Sequence, residues 1–164
     1  MKIVAVLLML MLLGTAGVFA GTVLAAEGEK NMQTVIYPAG SQGTFKGPEA
    51  WFTGNVKVDM LFPDNKVASY GGAIVTFSPG SRTAWHAHPV GQRLIITEGV
   101  GWIQEWGGPI VEVKAGDSVW FPPGVKHWHG ASADKSMQHI ALSGVENGKN
   151  SDWMEKVSDE QYRK

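Results

Sequence analysis

From Val56 onward, short runs of apolar, β-branched and aromatic residues alternate with turn-forming groups, and long helical periodicity is absent. Residues 56–62 end at Pro63-Asp64-Asn65, residues 72–77 at Ser78-Pro79-Gly80, and residues 84–88 at Pro89-Val90-Gly91. Residues 92–97 lead to Glu98-Gly99, residues 102–106 to Gly107-Gly108-Pro109, and residues 110–113 to Ala115-Gly116-Asp117. Residues 118–121 reach Pro122-Pro123-Gly124, and the runs 126–130 and 137–143 follow. With an edge strand read at Thr34-Val35-Ile36-Tyr37, the pattern predicts about ten short strands at close spacing, the signature of an all-β sandwich or closed barrel. The tail reads differently. Ser151-Asp152 can cap a short helix from Trp153, and Ser158-Asp159-Glu160-Gln161 fits a capping box. Trp153, Met154 and Val157 would pack that helix on the barrel.

The start of the chain belongs to another class. Lys2 is the only charge before Glu27, and residues 3–13 are continuously apolar. Val23-Leu24-Ala25 offers small or modest side chains where a signal peptidase reads. The expectation is a signal peptide over residues 1–25, an arm with its edge strand over 26–54, a barrel over 55–150 and a helical tail over 151–164. Export to the periplasm or medium follows. The competing reading is an uncleaved anchor, which would be the only membrane contact.

At 164 residues the chain suits one domain, and 44% apolar against 18% charged residues makes it globular. A net charge of -1 with no basic stripe argues against a nucleic-acid partner. There is no cysteine, which excludes disulfides, thiolate ligands and a lipid anchor on Cys. An exported protein of this kind is held by its core or by a bound metal.

All five histidines lie between His86 and His139. His86 and His88, at i and i+2 on a strand, share a face. The Pro89-Val90-Gly91 turn returns the chain so that Gln92 opens the next strand beside them, and His127 follows a second turn. If these strands line one barrel, three imidazole nitrogens and one amide oxygen converge, a set suited to manganese, iron, nickel or zinc. His129 faces the same side as His127, and His139 alternates with Met137 and Ala141, so both can point inward. Either can carry a proton near neutral pH, or act as a hydrogen-bonding or buried structural residue instead.

Gly80 to Gly99, with His86-Ala-His88 and Gln92 at the ligand spacings, resembles the first motif of the cupins. Gly116 to His127, with Pro122-Pro-Gly124, resembles the second. Gln92 stands where glutamate is usual, and Ala131 replaces the usual closing asparagine. The resemblance implies a single-domain cupin, a double-stranded β-helix or jelly-roll barrel, here with a short C-terminal helix. Trp51-Phe-Thr-Gly-Asn-Val56, Thr83 to Gln92, Val119 to Gly130 and Asp152 to Tyr162 are similar to the bacterial cupin-type hydroxynitrile lyases. This narrower likeness covers residues 47–164. It implies manganese on His86, His88, Gln92 and His127, cyanohydrin cleavage or synthesis with R selectivity, and family histidines at His129 and His139.

The chemistry implied is polarisation of the cyanohydrin oxygen or capture of cyanide, a histidine carrying the proton, and release of aldehyde and hydrogen cyanide. Replacing glutamate by neutral Gln92 leaves both charges of a divalent ion uncompensated, which favours bound anions and disfavours oxidation of the metal. Trp85, Trp102, Trp106, Trp120 and Trp128 are candidates for an aromatic pocket or for core, with Ala73, Val75 and Ser143 as cavity floor. The alternatives are another cupin enzyme, a dioxygenase or isomerase, and a non-catalytic protein binding a metal or small ligand. The expected partners are a small-molecule substrate and further copies of the chain in a homo-oligomer.

Overall fold

The computed structural model describes residues 33–163, so the leader expected at 1–25 lies outside the described residues. The chain divides into Met1–Val35 and Ile36–Lys164, and the architecture below is that of the second unit. The strands are β1 (Thr44–Lys46), β2 (Phe52–Thr53), β3 (Val56–Phe62), β4 (Tyr70–Phe77), β5 (Arg82–Thr83) and β6 (His86–Ala87). They continue with β7 (Gln92–Glu105), β8 (Val111–Lys114), β9 (Ser118–Phe121), β10 (His127–Ala131), β11 (Met137–Gly144) and β12 (Asp152–Trp153). Among the described residues there is no helix, and every strand pairing is antiparallel. The all-β expectation holds.

One face of the curled sheet runs β1-β3-β4-β11-β7-β9, and the other is assembled from β8, β7, β10, β5, β6, β2 and β12. The shared strand β7 corrects the sequence reading, which broke the chain at Glu98-Gly99. The break is a bulge inside one 14-residue strand. Ile96 pairs with His139 and Glu98 with Gln138, which leaves Thr97 as the extra residue. Gly99 takes φ 73°, a left-handed conformation that glycine adopts without strain. A bulge bends a strand and increases its twist. Here residues 92–95 pair with β9, while residues 100–103 pair with β8 and residues 101–105 with β10.

Alternation then builds the interior. Val56 and Val58, Val75 and Phe77, Leu94 and Ile96, and Met137 and Ala141 point between the faces with Phe52, Val113, Phe121 and Ala131. A smaller cluster joins Trp85 and Trp128 to Val157 and Tyr162 of the tail.

Two local expectations are corrected. Residues 33–38 form no strand, and the edge position belongs to β1, which pairs Thr44 to Lys46 with Asp59 to Lys57. The tail forms no helix. Its backbone is taken by the sheet, with Asp152 opposite Ala87 and Trp153 opposite His86. The capping-box bonds do form, Ser158 N–H donating to Gln161 Oε1 at 2.9 Å and Gln161 N–H to Ser158 Oγ at 3.2 Å. They close a single turn, from which Tyr162 is drawn inward to donate its hydroxyl to the Ala131 carbonyl at 2.7 Å.

Candidate active site

The fold brings together the six side chains read from the sequence as ligands or proton carriers. His86 opens β6 and pairs directly with His127, the first residue of β10. His88 follows β6, Gln92 opens β7 opposite Ser143, and His129 and His139 sit on β10 and β11. His86, His88, Gln92, His127, His129 and His139 are all buried.

Backbone carbonyls fix the rings. His86 Nδ1 meets the Ala84 carbonyl at 3.0 Å, His127 Nδ1 meets that of Val125 at 2.8 Å, and His88 Nδ1 meets that of Asn150 at 2.5 Å. A carbonyl only accepts, so each Nδ1 carries the proton and each Nε2 keeps its lone pair. This arrangement orients imidazoles for a metal. Gln92 is aimed the same way. Its Nε2 donates to Ser143 Oγ at 3.1 Å, which leaves Oε1 facing His127 Nε2 at 3.5 Å. Phe121 stacks on the His127 ring at 3.7 Å between centroids.

His86, His127 and His129 offer nitrogens that all lie within 4.8 Å of one another, so three buried histidines could hold a metal ion. Ring positions do not separate His88 from His129. His88 lies 5.1 Å from His86 and 5.6 Å from His127, against 5.3 Å and 6.0 Å for His129. Their partners do. The His129 Nδ1 faces another imidazole, His139 Nε2, at 3.3 Å, whereas the Nδ1 of His88 is locked on a carbonyl like those of His86 and His127. The Nε2 of His88 is buried without a hydrogen-bond partner, as are His129 Nε2 and His139 Nδ1. An unpartnered buried lone pair is costly unless something binds it. Neutral imidazoles with free Nε2 atoms and an inward amide oxygen therefore fit a divalent cation of borderline character.

Burial makes all five rings weak bases. It pushes His127 and His139 down to about 3, and it lowers His88. His86 and His129 fall well below the ordinary histidine range through burial, reinforced by the neighbouring imidazoles. The cluster is held neutral, the state in which nitrogen can ligate.

His86, His88, Gln92, His129 and His139 line a cavity of about 290 Å³, and among the described residues no Asp, Glu, Lys or Arg stands on its walls. Ala73, Val75 and Ser143 line it as expected, but the five tryptophans named from the sequence do not. Trp85 and Trp128 are buried in the tail cluster with Trp102 against them, and Trp106 and Trp120 are exposed. The aromatic wall is instead Phe45, Trp51, Phe52 and Trp153. Trp51 and Trp153 stack at 5.3 Å with planes 7° apart. The sequence offered no signal for this wall, since it is built by the arm and the tail, far apart in the chain.

A barrel that gathers histidines from two motifs at its interior is the arrangement of one family, and the chain belongs to it, the cupins. The cupin domain profile matches residues 73–142, which hold all six side chains above. Within the family, the chain is 55% identical over 129 residues to the (R)-mandelonitrile lyase of Granulicella tundricola, covering 79% of this chain and 98% of that enzyme. The crystal structure of a cupin-like protein from Thermotoga maritima is 44% identical, with a TM-score of 0.69, over 79% of this chain and 96% of that one. A cupin 2 conserved barrel domain protein from Rhodopseudomonas palustris shares the fold at 16% identity, with a TM-score of 0.57 over 68% of this chain and 76% of that one.

Proposed function

We propose that this cupin is a metal-dependent lyase that splits or forms cyanohydrins, interconverting mandelonitrile or a close relative with an aldehyde and hydrogen cyanide. The observation that carries the reading is a single uncharged cavity holding two kinds of polar group. One is a set of oriented neutral donors, with His86, His88 and Gln92 on its lining and His127 against Gln92, and the other is the imidazole pair His129 and His139, able to handle a proton. The likeness to the (R)-mandelonitrile lyase supports it.

His86, His88, Gln92 and His127 would hold the ion, with manganese proposed as the metal. When bound, it supplies Lewis-acid stabilisation of the negative charge developing on the cyanohydrin oxygen or on departing cyanide. The apolar wall binds the organic part of the substrate and excludes water. His129 Nε2, buried and unpartnered, accepts the hydroxyl proton. The carbon–nitrile bond breaks, its electron pair leaves with cyanide, and the carbonyl forms. The proton on His129 is then delivered to cyanide, giving hydrogen cyanide. This role requires the tautomer in which His129 Nδ1–H donates to His139 Nε2, 3.3 Å away, and the His129 lone pair stays on Nε2.

The test is cyanide release from racemic mandelonitrile by manganese-loaded protein, chelator-stripped protein and His127→Ala. Release from the loaded protein alone is expected, at least a hundredfold above the other two, on the order of the loss when a metal is removed. No release from protein holding stoichiometric manganese would overturn the lyase reading.

A further inference from the structure

The three carbonyl-locked histidines are not locked in the same way. His86 and His127 use the carbonyl two residues upstream, Ala84 and Val125, so their orientation is local. His88 uses Asn150, 62 residues away, and Ser151 Oγ lies 3.4 Å from the same Nδ1. Two residues further on, Trp153 pairs with His86 in register and stacks its indole on that imidazole, 4.7 Å between centroids and 28° between planes. One short piece of the tail thus touches both members of the His86-Ala-His88 pair.

That piece is held down by more than strand pairing. Met154 N–H donates to the Trp85 carbonyl and Trp85 N–H to that of Glu155, both at 2.9 Å. Lys126 pairs with Glu155, and Lys156 Nζ donates to the Phe52 carbonyl at 2.5 Å. The buried Arg82 donates to the Val157 carbonyl at 3.0 Å. These contacts fix where Asn150 and Trp153 stand, and through them two imidazoles.

We propose that residues 150–153 act as a positioning device for the metal site, so that seating of the C-terminal segment and metal binding strengthen one another. This rests on the metal reading above. A partner that orients a ligating histidine raises metal affinity, and such coupling is reciprocal. The ion therefore also seats the tail, which the barrel otherwise holds by the contacts just described.

The experiment titrates chelator-stripped full chain with manganese, following free ion by electron paramagnetic resonance. Trp153→Ala is expected to weaken binding about tenfold or more, Trp153→Phe to restore most of it by keeping the stack, and Trp120→Ala, on the exposed surface, to change nothing. In parallel, hydrogen exchange of the unsubstituted protein reads the reciprocal effect without a variant. Manganese should slow exchange at the Met154 and Trp85 amides. A protein that binds no manganese at all would sink the metal reading and this inference with it. Tight binding that Trp153→Ala leaves unchanged, or exchange at Met154 and Trp85 indifferent to the ion, would overturn the positioning role alone.

Discussion

The chemistry of each imidazole is decided by what its other nitrogen touches. A carbonyl at Nδ1 forces the proton there and turns Nε2 into a donor for a cation, and this holds for His86, His88 and His127. At His129 the Nδ1 partner is His139 Nε2, which can accept or donate, so the pair can pass a proton along itself. Nitrogen proximity alone would group His129 with His86 and His127 as a ligand. The two assignments predict opposite outcomes. If His88 ligates and His129 carries the proton, His88→Ala loses manganese affinity at least tenfold, while His129→Ala keeps stoichiometric metal and loses cyanide release by about a hundredfold or more. Metal content and turnover measured on the same preparations decide it. Metal lost from His129→Ala and retained by His88→Ala would exchange the roles.

At the scale of strands, the residues that alternate were legible and those placed by tertiary pairing were not. Strand β3 falls on residues 56–62 as its alternation predicts, and the inward direction of Ala73, Val75 and His139 follows from counting by two. The two histidine motifs carried the candidate site, because spacing on a strand fixes which side chains share a face. The turn read at Glu98-Gly99 was not a turn, since a glycine in a strand serves a bulge as readily, and only the partner β11 shows which. The tail helix failed for a related reason. Asp152 and Trp153 gain sheet pairing and two aromatic stacks that an isolated helical turn cannot match. Gly130 was legible as part of a histidine-rich run, but its purpose is an approach of backbones. It pairs with Arg82, and a Cβ there would stand 2.6 Å from the Arg82 Cα. Gly130→Ala should therefore push β5 away from β10 and cost about 1–3 kcal/mol, as overpacking does. Denaturant unfolding checks this. A loss smaller than about 0.5 kcal/mol, the range of neutral surface changes, would show that β5 yields freely.

For the molecule as a whole, the site imposes a dependence on acid. The buried interior holds its imidazoles neutral, and His139 shows the effect most cleanly, being fully buried and outside the proposed ligand set. Burial lowers it from 6.5 to about 3. Its pKa in the fold thus lies below its value in the unfolded chain, so the unfolded chain binds more protons throughout that interval. Stability is fully present above about pH 6.5 and is lost as the pH falls toward about 3. One such group contributes a slope of up to ~1.4 kcal/mol per pH unit. The other four histidines act in the same direction, so the comparison must isolate one of them. Metal-stripped wild type and His139→Leu, unfolded in denaturant at several pH values between 7.5 and 4.5, supply it. The variant keeps an apolar side chain in an apolar place and removes one titrating group. Its stability should therefore fall less steeply, by about one proton's worth of slope below pH 6. Parallel curves would mean that His139 is protonated in the fold or reached by water, and the neutral imidazole pair assigned to proton transfer would lose its basis.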